Sequence, residues 1–196
     1  MGKFRKWRVT VLVIWLGLIF NSFTTYVGAQ DSSSLLSKAR EEIAANQMPE
    51  AIQTLRKVLQ QVWTQTPLYV ATSVLVKEKA QGFGLYEPRE NNVYKSGEPI
   101  LIYLEPAGFA IKKQGPYNVF GMAADFSIHT KDGKVLGGQK GFGRWTMKSR
   151  RFNTEFHMDL NYKIRGLKPG DYEIETTVRD LNGAGVTTVN TSVRIK

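Results

Sequence analysis

Cysteine is absent from the 196 residues, and histidine occurs only twice. The first absence excludes thiol nucleophiles, disulfide exchange, cysteine-based zinc sites and lipidation at a cysteine. Papain-like and transglutaminase chemistry go with it. No Gly-x-Ser-x-Gly elbow is present, and no glycine loop ends in the Lys and Ser/Thr that cradle phosphate. Long apolar runs are also missing. The most apolar stretch, residues 9–20, is shorter than the roughly 20 residues that a bilayer-spanning helix needs.

That stretch has a recognisable setting. It follows Lys3, Arg5, Lys6 and Arg8 and leads to Val27, Gly28 and Ala29. The order of basic, apolar and small residues is that of a secretory signal peptide, with cleavage expected after Ala29. The other reading is a retained N-terminal anchor, which leaves the same domain in the same compartment. No twin-arginine pair precedes the apolar run, so Sec-type export is expected. The protein is therefore expected to be periplasmic or secreted.

Removing residues 1–29 leaves 167 residues, enough for one domain with a real core and a small extension. The formal net charge is +10. The four leader cations account for part of it, and the rest carries 23 basic against 17 acidic residues, a charge of +6. Outside the cytoplasm the natural anions are lipid head groups, envelope glycans and acidic proteins, so no nucleic-acid partner is expected. A mild positive excess equally serves solubility alone.

Residues 30–67 read as a helical hairpin. Asp31 and Ser32 to Ser34 offer N-cap oxygens. Leu36, Ala39, Ile43 and Ala44 fall on one helical face. Asn46 and Gln47 break the pattern, and Pro49 restarts it at a position suited to proline. Ala51, Ile52, Leu55, Val58, Leu59 and Val62 form a second apolar stripe. The run Pro49-Glu50-Ala51-Ile52 with Leu55, Val58 and Leu59 resembles the second helix of a tetratricopeptide repeat. One such repeat cannot bury its own face. The resemblance thus implies a hairpin packed on the next domain or used in self-association.

From Leu68 onward the period shifts toward two, the signature of strands. Residues 69–76 read as a first strand and residues 82–89 as a Gly/Pro-rich linker. Residues 100–104 form a short run bounded by Pro99 and Pro106. Phe120, Met122, Ala124, Phe126 and Ile128 alternate along a long strand, and Asp132-Gly133 suits a hairpin turn. Phe152, Thr154, Phe156, Met158, Leu160 and Tyr162 alternate again, as do the rows starting at Tyr172 and Val189. Leu167-Lys168-Pro169-Gly170-Asp171-Tyr172 resembles the tyrosine corner of immunoglobulin-like and fibronectin type III-like sandwiches. The resemblance spans residues 68–196, lacks both immunoglobulin cysteines, and implies a mainly β, antiparallel immunoglobulin-like β-sandwich preceded by the helical hairpin. The architecture is silent on activity. The whole chain also resembles short exported bacterial proteins of unknown function.

The densest local feature is Lys140, Phe142, Arg144, Trp145, Lys148, Arg150 and Arg151, five cations interleaved with two aromatics and no acid. Guanidinium forks bind phosphate or carboxylate, and aromatics stack on sugars or bases. This segment is the expected surface for an envelope protein, an anionic glycan or a lipid head group. Its competing reading is an edge strand whose cations discourage edge-to-edge pairing. His157 lies between Glu155 and Asp159, and His129 shares a face with Asp125. Either row could hold a metal but reads better as an ordinary polar face, and no cofactor or metal is expected. Glu173 and Glu175 could serve glycoside hydrolysis, yet nothing supplies the burial that raises an acid's pKa. Phe83, Leu85, Tyr86, Tyr94 and Phe109 line a binding surface or cover an open end. The sequence therefore predicts a non-catalytic binding or adaptor protein. The alternatives are a hydrolase of envelope polymers and an assembly subunit pairing through its hairpin or strand edges.

Overall fold

The computed structural model describes residues 31–196, so the leader expected at 1–29 lies outside the described residues. Within Ser32–Lys196, a single compact unit, the chain forms two helices followed by nine strands. Helix α1 is Ser32–Ala44 and α2 is Met48–Gln65. They are joined at Asn46, which takes the left-handed conformation (φ 59°) that asparagine tolerates better than most residues. Ser32 Oγ donates to Gln61 Oε1 at 2.9 Å, tying the start of α1 to the end of α2, so the helices run antiparallel. Among the described residues, no helix is long and apolar enough to cross a membrane.

The covered faces of these helices meet the sequence expectation at Ala39 and Ala51 and depart from it elsewhere. Leu35 and Ala39 of α1 and Ala51 and Thr54 of α2 are buried. Leu36, Ile43, Ile52, Leu55, Leu59 and Val62, expected to face inward, are 41–52% exposed. Small residues let two helices approach closely, and the contact has taken those rather than the bulkiest row. Of the helical residues only Trp63 packs against the main core.

The strands are β1 (Tyr69–Leu75), β2 (Val93–Tyr94), β3 (Ile100–Ala107), β4 (Lys112–Gln114), β5 (Tyr117–Thr130), β6 (Val135–Ser149), β7 (Met158–Tyr162), β8 (Gly170–Asp180) and β9 (Val186–Ile195). One sheet has the order β1-β3-β7; the other runs β2-β9-β8-β5-β4, with β6 paired to β5. All pairings are antiparallel except β2 with β9. The second sheet is therefore mixed. The two-residue β2 falls in a stretch that shows no alternation in the sequence. Strand β3 also runs through Pro106, which sits opposite Val70 beside a bulge where the ladder is interrupted.

One buried cluster draws on both sheets. Ile100, Ile102, Leu104, Met158 and Leu160 come from the smaller sheet, and Phe120, Met122, Ile174, Val178 and Val193 from the larger. The alternation expected over 152–162 holds for burial, since Phe156, Met158, Leu160 and Tyr162 are buried. Only Met158–Tyr162 is strand, however. Residues 150–157 carry the chain from β6 in one sheet to β7 in the other, so they keep contact with the core without a ladder partner. A second, smaller cluster of Val76, Ala80 and Tyr103 lies under residues 76–90, with Tyr86 packed against it. Tyr94 and Phe109, read as surface or end-covering aromatics, are fully buried; Phe83 and Leu85 are exposed.

Candidate functional site: a basic groove between helix and sheet

Among the described residues, strand β6 is the longest strand and pairs with β5 alone. Its alternation decides where the basic-aromatic segment points. Arg144, Lys148 and Arg150 are exposed, while Trp145 and Met147 are half-buried and pack on the core. The indole of Trp145 lies over Gly143, so close that a Cβ there would overlap the ring. Phe142 also turns inward, stacked on Tyr162 at 4.8 Å and edge-on to Phe126 at 4.8 Å. The expected interleaved surface is thus corrected. Arg144, Lys148 and Arg150 face solvent and Trp145 faces the core by strand alternation. Phe142, of the same parity as Arg144, turns inward where the ladder with β5 shifts between Gln139 and Gly143. Lys140 sits in the exposed distal half of β6, beside Gly141, whose N–H donates to Asp125 Oδ1 at 2.5 Å.

The outward cations have company that the sequence does not bring near them. Lys112, Val119 and Lys148 are direct neighbours across β4, β5 and β6 and so share one face. Arg150 lies over the Tyr117 ring at 5.1 Å. Past the end of β6, Arg151 and Phe152 lie across a groove from α2. A groove of about 660 Å³ is lined there by Arg56, Lys57 and Leu59 of α2 and by Arg151, Phe152 and Glu155. The helix is held against this side by the Trp63 junction. Trp63 Nε1 donates to the Phe109 carbonyl at 2.9 Å, and the two rings meet edge-on at 4.9 Å. Gly108 (φ 73°) permits the approach, since a Cβ would stand 2.3 Å from the Pro67 carbonyl oxygen.

Among the described residues, charge pairing leaves these cations free, as it does Lys95, Lys163, Arg165 and Lys168 elsewhere. Arg89, Arg179 and Arg194 pair with Glu98, Asp125 and Asp171 at 2.9, 2.8 and 2.6 Å, and Lys38 and Lys77 also have acidic partners. Among the described residues, no ion pair engages Arg56, Lys57, Arg144, Lys148, Arg150 or Arg151. Glu155 is the single carboxylate of the groove. It was expected to share a face with His157 and Asp159; the structure places it in this groove and those two in a different depression, residues 155 and 157 both lying before the strand that starts at Met158.

His157 stacks on Tyr103 at 5.4 Å, and its Nε2 stands 3.6 Å from Asp159 Oδ2. Both line a shallow depression that also includes Lys79, Arg144 and Trp145. Asp159 Oδ1 accepts the Ala80 N–H at 3.0 Å, so this carboxylate pins residues 76–90 to β7. The Tyr103 hydroxyl donates to Glu105 Oε1 at 2.5 Å and accepts from the Gly84 N–H at 2.7 Å; burial, with that bond to a carboxylate, pushes its phenol well up. These contacts fasten a loop.

On the outer face of the larger sheet, Ser127 Oγ lies 2.7 Å from His129 Nε2, and Glu173 faces His129 across the β5–β8 ladder. The Ser127 contact is one that the sequence reading did not single out. It needed only the i, i+2 alternation of β5. The backbone here is engaged in ladders on both sides, since Ser127 faces Gly138 of β6 and Glu175 of β8. An oxyanion needs free N–H groups converging on it, and the sheet supplies none at Ser127. His129, Lys131, Asp171, Glu173 and Arg194 line a hollow of about 360 Å³ at the β5–β6 turn. Arg194 bonds Asp171 from Nε at 2.6 Å and from a terminal nitrogen at 3.2 Å, which holds the Asp171 carboxyl below its usual range. Among the described residues, no three His, Asp or Glu side chains are arranged to hold a metal.

At the corner sequence, Leu167 is half-buried against the core and Pro169 and Gly170 are exposed. The Tyr172 hydroxyl donates to the Lys168 carbonyl at 2.8 Å.

No family model and no curated protein matches the chain. Solved structures with partial likeness include a superoxide reductase (neelaredoxin) from Ignicoccus hospitalis, at 7% identity over 65% of this chain and 82% of that one, TM-score 0.35. Another is the C-terminal domain of wzt, at 16% identity over 67% and 75%, TM-score 0.38. A third is the sporulation control protein Spo0M from Bacillus subtilis, at 10% identity over 67% of this chain and 50% of that one, TM-score 0.34. These scores assign neither a family nor an activity.

Proposed function

We propose that the protein is an exported, non-catalytic binding or adaptor protein of the bacterial envelope, which takes an anionic partner in the groove between α2 and the β6–β7 connection. In this reading the two sheets are an immunoglobulin-like β-sandwich, and the helix pair is a single tetratricopeptide-type hairpin that forms one wall of the site. The shared core and the Tyr172–Lys168 bond support the first assignment. The basic, apolar and small order of residues 1–29 supports export. The observation that carries the function is the unpaired set Arg56, Lys57 and Arg151 around one groove. Cations left without acidic partners form a field that an anion completes, and guanidinium forks fit phosphate and carboxylate oxygens. Leu59 and Phe152 add an apolar floor. The outward cations of β6 extend the field along the neighbouring sheet.

The test uses retention on an immobilised sulfated glycan, eluted with salt. The triple variant Arg56→Ser, Lys57→Ser, Arg151→Ser is expected to elute at clearly lower salt than a charge-matched control, Lys95→Ser, Lys163→Ser, Lys168→Ser. Equal elution of the two variants would mean that net charge, not the groove, governs binding. Capture from an envelope extract by the native chain but not the triple variant then identifies the natural partner.

A further inference from the structure

Among the described residues, seven of the thirteen exposed large hydrophobics lie on the helix pair, and one of them, Leu59, also lines the groove. Leu36 and Ile43 of α1 and Met48, Ile52, Leu55, Leu59 and Val62 of α2 are each 41–52% exposed. In both helices these residues lie about a quarter-turn, in the same sense along the chain, from the residues that face the other helix. For antiparallel helices that puts both rows on one side of the pair. The face is continuous and apolar.

Its spacing names the kind of surface that would cover it. Met48, Ile52, Leu55, Leu59 and Val62 follow one another at alternating intervals of four and three, and Leu36 and Ile43 are seven apart. A repeat of 3.5 is the seam that packs knobs into holes against another helix. It is narrower than the stripe of a helix lying on a sheet. A membrane surface fits less well. Interfacial helices carry Trp or Phe on the apolar face and an excess of Lys and Arg beside it. This face has no aromatic residue, and Glu41, Glu42 and Glu50 stand among its neighbouring cations.

We infer that this face is covered by the same face of a second copy, giving an antiparallel four-helix bundle between two chains. The area is sufficient. Seven side chains near half exposure present on the order of 600 Å² per copy, so pairing removes on the order of 1,200 Å², within the range of specific interfaces. A patch of that size is also at the upper end for a monomer's surface. The pairing is isologous, since each copy offers the identical heptad row. It supplies what a lone two-helix unit lacks, a partner for its outer face.

Ser32–Lys196 is one compact unit, so residues 30–196, the chain expected after cleavage, serve for the test. Sedimentation velocity at micromolar concentrations is expected to give twice the chain mass. The double variant Ile52→Glu, Leu55→Glu is expected to be monomeric, with its dissociation constant raised about a hundredfold or more. Glutamate is a good helix former, and unchanged far-ultraviolet circular dichroism confirms that the helices persist. The control Leu85→Glu removes an exposed leucine outside the helices and is expected to stay dimeric. A monomeric native chain overturns the proposal, whether or not it sediments with lipid vesicles. So does a dimer that survives the double variant. Ile52 and Leu55 do not line the groove, so glycan retention by the monomeric variant reports on the groove alone and the two tests fail separately.

Discussion

Two buried tyrosines show how much a single hydroxyl matters. Tyr162 and Thr176 share a buried hydrogen bond at 2.7 Å, and burial pushes the Tyr162 phenol well up. Tyr94 is equally buried, but its hydroxyl has no hydrogen-bond partner among the described residues. Removing one partner of a buried bond leaves the other unsatisfied, at about 1–3 kcal/mol. Tyr162→Phe is therefore expected to lower stability by roughly that amount in urea unfolding, whereas Tyr94→Phe is neutral or stabilising. Equal losses in both would contradict the assignment. The exposed Asp171–Arg194 pair offers a pH prediction. The folded carboxyl titrates below its ordinary value near 3.9, so its contribution is present above that value. It is lost as the pH falls through the lowered one. Arg194→Gln should move the Asp171 midpoint upward, toward the ordinary value, in an NMR titration; an unmoved midpoint would remove Arg194 as the cause.

At the scale of elements, much of the chain is legible. Asp132-Gly133 makes the β5–β6 turn, with the Gly133 N–H donating to the Thr130 carbonyl at 2.9 Å. The inward rows of β5, β8 and β9 follow the alternation of their sequences. Three things were not legible, each for a physical reason. Periodicity shows which helical face is apolar but not which face is covered: of the row Leu36, Ala39, Ile43 and Ala44 only Ala39 is buried, together with Leu35. Alternation continues wherever a chain touches a core, so residues 152–157 read as strand while crossing between sheets. The groove joins Arg56 and Lys57 to Arg151 across nearly a hundred residues, and no local pattern reports such a meeting. What joins them is the Trp63 anchor, which leads to a prediction for the element. Trp63→Ala removes an edge-on ring pair and the bond to Phe109, at roughly 2–4 kcal/mol. Amide hydrogen exchange in α1 and α2 is expected to accelerate far more than in β5 and β8. Uniform acceleration would show that helices and sheets unfold together.

Across the whole molecule, charge is unevenly spent. Acids and bases pair on the outer face of the larger sheet and around residues 77–98; among the described residues no ion pair engages the cations of the groove and β6, nor Lys95, Lys163, Arg165 and Lys168. Arg144 and Lys148, which extend the cationic field, stand along a strand whose second edge has no partner strand among the described residues. Like charges there keep two such edges apart, and only over the distance that the surrounding ions permit. That distance is about 10 Å in 0.1 M salt and about 3 Å in 1 M. Ionic strength thus becomes a control on colloidal behaviour. Light scattering is expected to show self-association along β6 in concentrated salt that dilution reverses, and Arg144→Glu with Lys148→Glu should shift its onset. Any anion that occupies the cationic field neutralises the same guard, so a polyanion added in slight deficit could cross-link molecules that an excess keeps dispersed.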